Sequence, residues 1–124
     1  MSYVEGFLVP VPNGNREAYR ALAAKHAPIL LECGATRVVE AWQAGMKSGE
    51  THAFQGTIKA APGEDAIFSW IEWPSRETRD TGWEKFMRDE RAKPDAGMPF
   101  DTGRIISGVF EILVDEPAHP HGAG

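Results

Sequence analysis

Glu40, Trp42, Trp70 and Glu72 are the residues with which this sequence could act on a small molecule. Two carboxylates on one surface can divide the roles of general acid and general base when their surroundings push their pKa values apart. Indoles beside them can stack a flat ligand. Side chains two apart in a strand share a face, so Glu40 goes with Trp42 and Trp70 with Glu72. Plainer roles are open to the same residues: the glutamates as ion pairs across an interface, the tryptophans as filling for a core. Arg79 and Asp80 in SRETRD, with Asp101 and Arg104 in PFDTGR, form a second group. They can build a charged cluster at a pocket mouth, or anchor loops by ordinary ion pairs.

The remaining reactive side chains carry less. His26 lies on a helical stripe and His52 in a loop, and either can act as a base or hold a haem iron, although a lone histidine is more often structural. His119 and His121 fall in a Pro/His/Gly tail where no further ligand is preorganised, so no metal site is expected. Cys33 sits at a helix C-terminus, where the helix dipole disfavours a thiolate, and reads as core. No motif requires a cofactor, and none is expected.

The elements that must position these groups follow from local pattern. Tyr3 to Val11 is rich in β-branched and aromatic residues and reads as a strand that frays at Pro10 and Pro12. Asn13-Gly14-Asn15 turns the chain into a helix over Arg16 to Cys33, with Tyr19, Leu22, Ala23, His26, Leu30 and Cys33 on one stripe. Pro28 predicts a kink in it and Gly34 a C-cap. Ala35 to Trp42 is a second strand; residues 44–52 form a loop, and 53–59 fit either a short helix or an extended segment. Asp65 to Trp73 is a third, central strand. Ser75 caps a second helix running to about Ala92, with Trp83, Phe86 and Met87 as its apolar stripe. Arg104 to Val114 is the fourth strand.

This order, β-α-β-β-α-β, predicts an α+β fold of the ferredoxin-like type: a four-stranded antiparallel sheet with both helices on one face. A single domain over residues 1–116 is expected, with 117–124 a disordered tail. Alternation assigns Val4, Gly6, Leu8, Val39, Ala41, Ile67, Ser69, Ile71, Ile106, Gly108, Phe110 and Ile112 to the helix side. The other face then carries Tyr3, Glu5, Phe7, Val9, Val38, Glu40, Trp42, Phe68, Trp70, Glu72, Ser107, Val109 and Glu111, a glutamate from every strand. Two helices cannot cover both faces, and a bare apolar face of this size is rare on a monomer. A homodimer that closes the two sheets on each other is expected, its carboxylates meeting Arg37, Arg79, Arg104, water or a ligand.

Bulk properties bound the partners. The 124 residues suit one domain, and 13 basic against 18 acidic residues, a net charge of -5, weigh against a phosphate-backbone partner. One cysteine excludes an internal disulfide, no apolar run spans a membrane, and a reducing cytoplasm is the simplest compartment.

The stretches YVEGFLVPVP (3–12), GATRVVEAW (34–42), FSWIEWPSRETRD (68–80) and MPFDTGRIISGVFE (98–111) resemble the YbaA-like family of domains of unknown function, within the dimeric α/β-barrel superfamily. The sequence departs from that family's pattern at Ala41 and over residues 107–110. The resemblance implies the same fold and a dimer, but supplies no catalytic residues. At the level of the fold alone, relatives include cofactor-free monooxygenases, haem-degrading enzymes, lactone isomerases and stress-related dimers. Three functions follow as expectations. The first is a small-molecule binder or enzyme with its pocket at the sheet or dimer interface; the second is a structural or stress-response dimer. The third is an RNA-binding module using Tyr3, Phe7, Phe68 and Trp70 as stacking platforms, which the acidic face disfavours.

Overall fold

In the computed structural model, which describes residues 2–45, 60–93 and 97–119, β1 (Tyr3–Pro12) passes through a turn of 3-10 helix into α1 (Arg16–Glu32). β2 (Arg37–Trp42), β3 (Glu64–Trp73), α2 (Arg76–Arg88) and β4 (Ile106–Glu111) follow, with 3-10 turns at Glu90–Ala92 and Thr102–Arg104. The strands form one antiparallel sheet in the order β2-β3-β1-β4. This is the expected α+β, ferredoxin-like topology. Residues 53–59, which fit either helix or extension, lie outside the described residues, as do His52 and His121.

β1 does not fray at its prolines. It stays paired with β3 from Tyr3↔Trp73 to Pro12↔Glu64. The Asn13 N–H donates to the Gly63 carbonyl, and by alternation the ring nitrogens of Pro10 and Pro12 point away from β3, toward the side where β4 would lie. β4 ends at Leu8↔Ile106, so the missing N–H groups cost the sheet no bond.

Both helices pack on one face of the sheet. Ile29, Leu30 and Cys33 of α1 and its C-cap, Ile71 and Trp73 of β3, and Phe86 of α2 form one buried cluster. Val9, Val11, Tyr19 and Ile67 form another. α1 runs through Pro28, ends with Cys33 as C-cap, and turns at Gly34, whose φ is 120°. A Cβ at Gly34 would come within 2.6 Å of the Thr78 methyl, so the turn needs glycine twice over. Ser75 caps α2 by accepting from the Thr78 N–H at 3.0 Å. α2 stops at Arg88 rather than Ala92, because Asp89 turns to an extended backbone and caps the next 3-10 turn instead. Met87 is 69% exposed; the third apolar contact of α2 is the buried Gly82, where Trp73 lies so close that a Cβ would clash at 2.6 Å.

The assignment of faces is corrected for three strands. Register pairs Glu5 with Ile71 and Val109, Phe7 with Ser69 and Ser107, Val38 with Ile71, Glu40 with Ser69, and Trp42 with Ile67. Directly opposed residues share a face, and Ile67, Ser69, Ile71 and Trp73 are buried. Tyr3, Glu5, Phe7, Val9, Val38, Glu40, Trp42, Ser107, Val109 and Glu111 therefore belong to the helix side, with only β3 as expected. Val4, Gly6, Leu8, Val39, Ala41, Ile106, Gly108 and Phe110 face away from the helices together with Phe68, Trp70 and Glu72. Gly6, expected to admit a helix, has nothing within 4 Å of where its Cβ would be. The open face remains apolar: Phe68, Ile106 and Phe110 are 51%, 40% and 60% exposed.

Candidate functional site

The sequence-level pairs are separated by the sheet. Glu40 and Trp42 lie on the helix side, Trp70 and Glu72 on the open side, so neither a Glu40–Glu72 acid–base pair nor a Trp42–Trp70 sandwich exists within the chain. Trp70 packs edge to face on Phe68 with ring centroids 5.7 Å apart and donates its indole N–H to Glu72 at 3.0 Å. Arg37 stands 4.0 Å from the same carboxylate. Trp42 donates to Asp65 at 2.9 Å, and the Arg16 guanidinium sits 5.6 Å above its ring.

The four-membered charged cluster also divides in two. Arg104 grips Glu64 through both terminal nitrogens at 2.7 Å and reaches Asp101 at 3.1 Å. Asp101 in turn accepts from the Gly103 N–H, so this group ties the loop before β4 to the start of β3. Arg79 bonds Asp80 at 3.0 Å but spends its other nitrogens on Glu5, at 3.2 and 2.7 Å. Glu5 carries no site signal in the sequence, yet it is the hub: only 4% exposed, it also accepts the indole N–H groups of Trp73 at 3.2 Å and Trp83 at 2.7 Å. A buried carboxylate needs such a set of donors to remain charged. The glutamate bond holds the Arg79 guanidinium more firmly protonated than usual. The particular spelling of FSWIEWPSRETRD follows, since Trp73, Arg79 and, three residues beyond the stretch, Trp83 converge on one atom group.

A cavity of about 170 Å³ lies beside this hub, between α1, α2, the sheet and the segment before β4. Its walls are apolar, with Phe7, Trp83, Phe86 and Phe100 supplying ring faces and Met98 at the rim. Three polar side chains form one edge. The Tyr19 hydroxyl donates to Glu40 at 2.7 Å, and Ser69, opposite Glu40 in the β2–β3 register, sets its side chain beside both. Glu40 keeps its outer surface in solvent on edge strand β2, but its carboxyl is crowded by neighbours, and loss of water raises its pKa above 4.5 despite the bond from Tyr19 and the nearby Ser69 side chain. Burial, then the Glu40 charge, pushes the Tyr19 phenol up as well. Tyr19 and Glu40 also line a shallow groove with Arg16, Arg20 and Trp42, so they form the partition between cavity and outside.

His26 lines the same cavity. Its Nε2 is buried with no hydrogen-bond partner, the one such side-chain atom among the described residues. Its ring meets Phe86 edge to face at 5.3 Å. Desolvation, then Lys25, lower its pKa below 6.5, against a hydrogen bond to the Ala92 backbone. Sequence reasoning misses Tyr19 and Ser69 as site residues. The signal for Tyr19 is its place on the helical stripe; for Ser69 it is a hydroxyl inside an otherwise apolar central strand, where it is 4% exposed.

Among the described residues no group of His, Cys, Asp and Glu side chains could hold a metal, and no helix is long and apolar enough to cross a membrane. The RNA-like stacking platform does not assemble, because Tyr3 and Phe7 lie on the helix side and Phe68 and Trp70 on the other. The open face instead carries a broad apolar depression of about 490 Å³, floored by Val4, Gly6 and Leu8 and rimmed by Phe68, Trp70 and Phe110.

Residues 2–102 match the family described as "Protein of unknown function (DUF1428)". Over 117 residues, 94% of this chain and 100% of the relative, the sequence is 46% identical to the "Uncharacterized protein YbaA" of Escherichia coli (strain K12). The same figures hold for proteins of that name from Escherichia coli O157:H7 and Shigella flexneri.

Proposed function

Since the chain belongs to this family of unknown function, its role has to come from its own residues, and we propose that it binds a small, largely apolar molecule in the cavity between helices and sheet. The observation that carries this reading is a ring-lined space of about 170 Å³ with one polar edge, Tyr19–Glu40–Ser69. An apolar cavity of roughly 150 Å³ is enough to take up a benzene-sized molecule. The Glu40 carboxyl, raised by desolvation and connected to solvent through the outer groove, is the group best placed to exchange a proton with a bound molecule. Trp83 in the wall provides the readout. A panel of single-ring aromatics should change its fluorescence saturably, and Glu40→Gln should retain binding while losing any turnover found with a hit. Silence across the panel overturns the proposal.

The open face supports a second part of the same reading, a homodimer, for which we propose the cytoplasm as the simplest compartment of a chain with a single cysteine. Phe68, Ile106 and Phe110 form with Val4, Leu8 and Trp70 a contiguous apolar surface that a second copy would cover. Light scattering should then report twice the 13.6 kDa of one chain. Folded particles of single mass at micromolar concentration would count against it. A dimer without a ligand remains the competing role. It is favoured by the ion pairs that occupy Arg79, Asp80, Asp101 and Arg104 within the chain.

A further inference from the structure

On the reading that this cavity binds a small, largely apolar molecule, its one acidic edge narrows the class further. We infer that the cavity takes a single-ring primary amine, its ring among the aromatic side chains and its ammonium against the Glu40 carboxylate. Three observations point there.

The first is how the chain treats its carboxylates. Glu5 on β1 and Glu64 at the start of β3 are set into the fold, and each holds an arginine at 2.7 Å, Arg79 and Arg104. Glu40 holds no cation among the described residues; its one hydrogen bond comes from the Tyr19 phenol, a neutral donor. The nearby cations are committed elsewhere. Arg20 grips Glu17 at 2.6 to 3.0 Å, and the Arg16 guanidinium lies over the Trp42 ring. Glu40 has lost water to its neighbours without gaining a counter-charge, and an ammonium would offset that loss.

The second is the charge of the lining. No Lys or Arg lines the cavity among the described residues, and its one acid is Glu40. The histidine in the lining, His26, is kept neutral by desolvation and Lys25. A carboxylate or phosphate ligand would meet a like charge at the edge and no counter-charge anywhere else. A cation meets its opposite at the one place where it can keep part of its water, because Glu40 also lines the outer groove.

The third is the wall. Phe7, Tyr19, Trp83, Phe86 and Phe100 enclose about 170 Å³, room for one ring and not for two. Aromatic walls also tolerate a cation better than aliphatic ones, through the quadrupole of their rings.

The experiment uses the full chain and three probes of similar size: benzylamine, benzyl alcohol and benzoate, titrated by calorimetry at neutral pH. Benzylamine should bind about tenfold or more tighter than benzyl alcohol, as a charge-assisted bond exceeds a neutral one, and benzoate should not bind. Glu40→Gln, which keeps the shape, should bind benzyl alcohol as before and bring benzylamine down to the same level. The carboxyl ¹³C resonance of Glu40 in the unaltered protein should shift further at saturating benzylamine than at saturating benzyl alcohol, a readout that needs no variant. Equal affinity for the amine and the alcohol, an amine preference that survives Glu40→Gln, an equal shift with both, or binding of benzoate overturns the amine class while leaving the cavity a binding site. If none of the three binds, the proposed function fails with it.

Discussion

Replacing Arg79 by Met tests whether the Glu5 hub holds α2 to the sheet by charge. Glu5 is 5% exposed in its side chain and accepts four bonds, two from the Arg79 guanidinium and one from each of Trp73 and Trp83. Methionine keeps most of the volume but leaves the carboxylate with two indole donors and no counter-charge. Removing one partner of a buried ion pair costs about 3–5 kcal/mol. Arg79 retains 26% exposure, so water can soften the loss and the low end, about 3 kcal/mol, is expected. For a chain of this length that is a drop of roughly 10 °C in melting temperature. Urea unfolding at fixed protein concentration measures it, with Glu5→Gln and the double variant completing a cycle. Glu5→Gln should cost about 1–3 kcal/mol, because its amide presents N–H groups to donors. The double variant should be less destabilised than the sum by at least about 1.5 kcal/mol, since no charge is left stranded. An Arg79→Met cost below about 1 kcal/mol, or strict additivity, would refute the view that a stranded charge accounts for most of the loss.

Three further outcomes are expected. Glu40→Gln should gain stability relative to the parent as pH rises: a carboxyl whose pKa is raised by the fold contributes fully below 4.5 and loses that contribution as pH climbs through the folded value. A difference flat between pH 4 and 7 in urea titrations would contradict this. His26→Leu should flatten the acid limb of the stability profile, because a ring held neutral contributes fully above 6.5 and loses that contribution as pH falls; an unchanged acid limb would mean the ring is not held neutral. Gly6→Val should fold normally, with nothing within 4 Å of the added Cβ, but weaken self-association measured by sedimentation if a second copy covers that face.

The order of elements was legible because each carries its own local signal: the alternating apolar run of β1, the Ser75 cap, the Gly34 turn. The faces were not. Both alternating sets of β1 are largely apolar, Val4 and Leu8 on one side and Val9 and Val11 on the other, because one side meets helices and the other a wide bare surface. Nothing in the strand itself says which is which; only Ser69 and Ile71 opposite Phe7 and Glu5 do. Glu5 reads as an outward polar residue for a similar reason. The donors that make its burial tolerable lie 68, 74 and 78 residues further along the chain. His26 is visible on its helical stripe, but its bare nitrogen depends on α2, through Phe86, and on the 3-10 turn at Ala92.

One strand serves both surfaces. Along β3, Ile67, Ser69 and Ile71 point to the cavity side and Phe68, Trp70 and Glu72 to the open side. The sheet is one layer thick, so the polar edge of the cavity stands back to back with the aromatic rim of the open face. Ligand binding in the cavity, as proposed, would depend on groups carried by α1, α2 and the inner face, and the proposed association on the open face, with Phe7 the one residue that lines both spaces. Side-chain changes confined to one face should therefore leave the other property intact, as packing effects between residues without shared partners nearly add. Gly6→Val should leave the affinity of any single-ring aromatic that binds the cavity unchanged, and His26→Leu should leave the association constant unchanged. If either substitution moved both properties together, the assignment of two independent surfaces to the two faces of this sheet would be wrong.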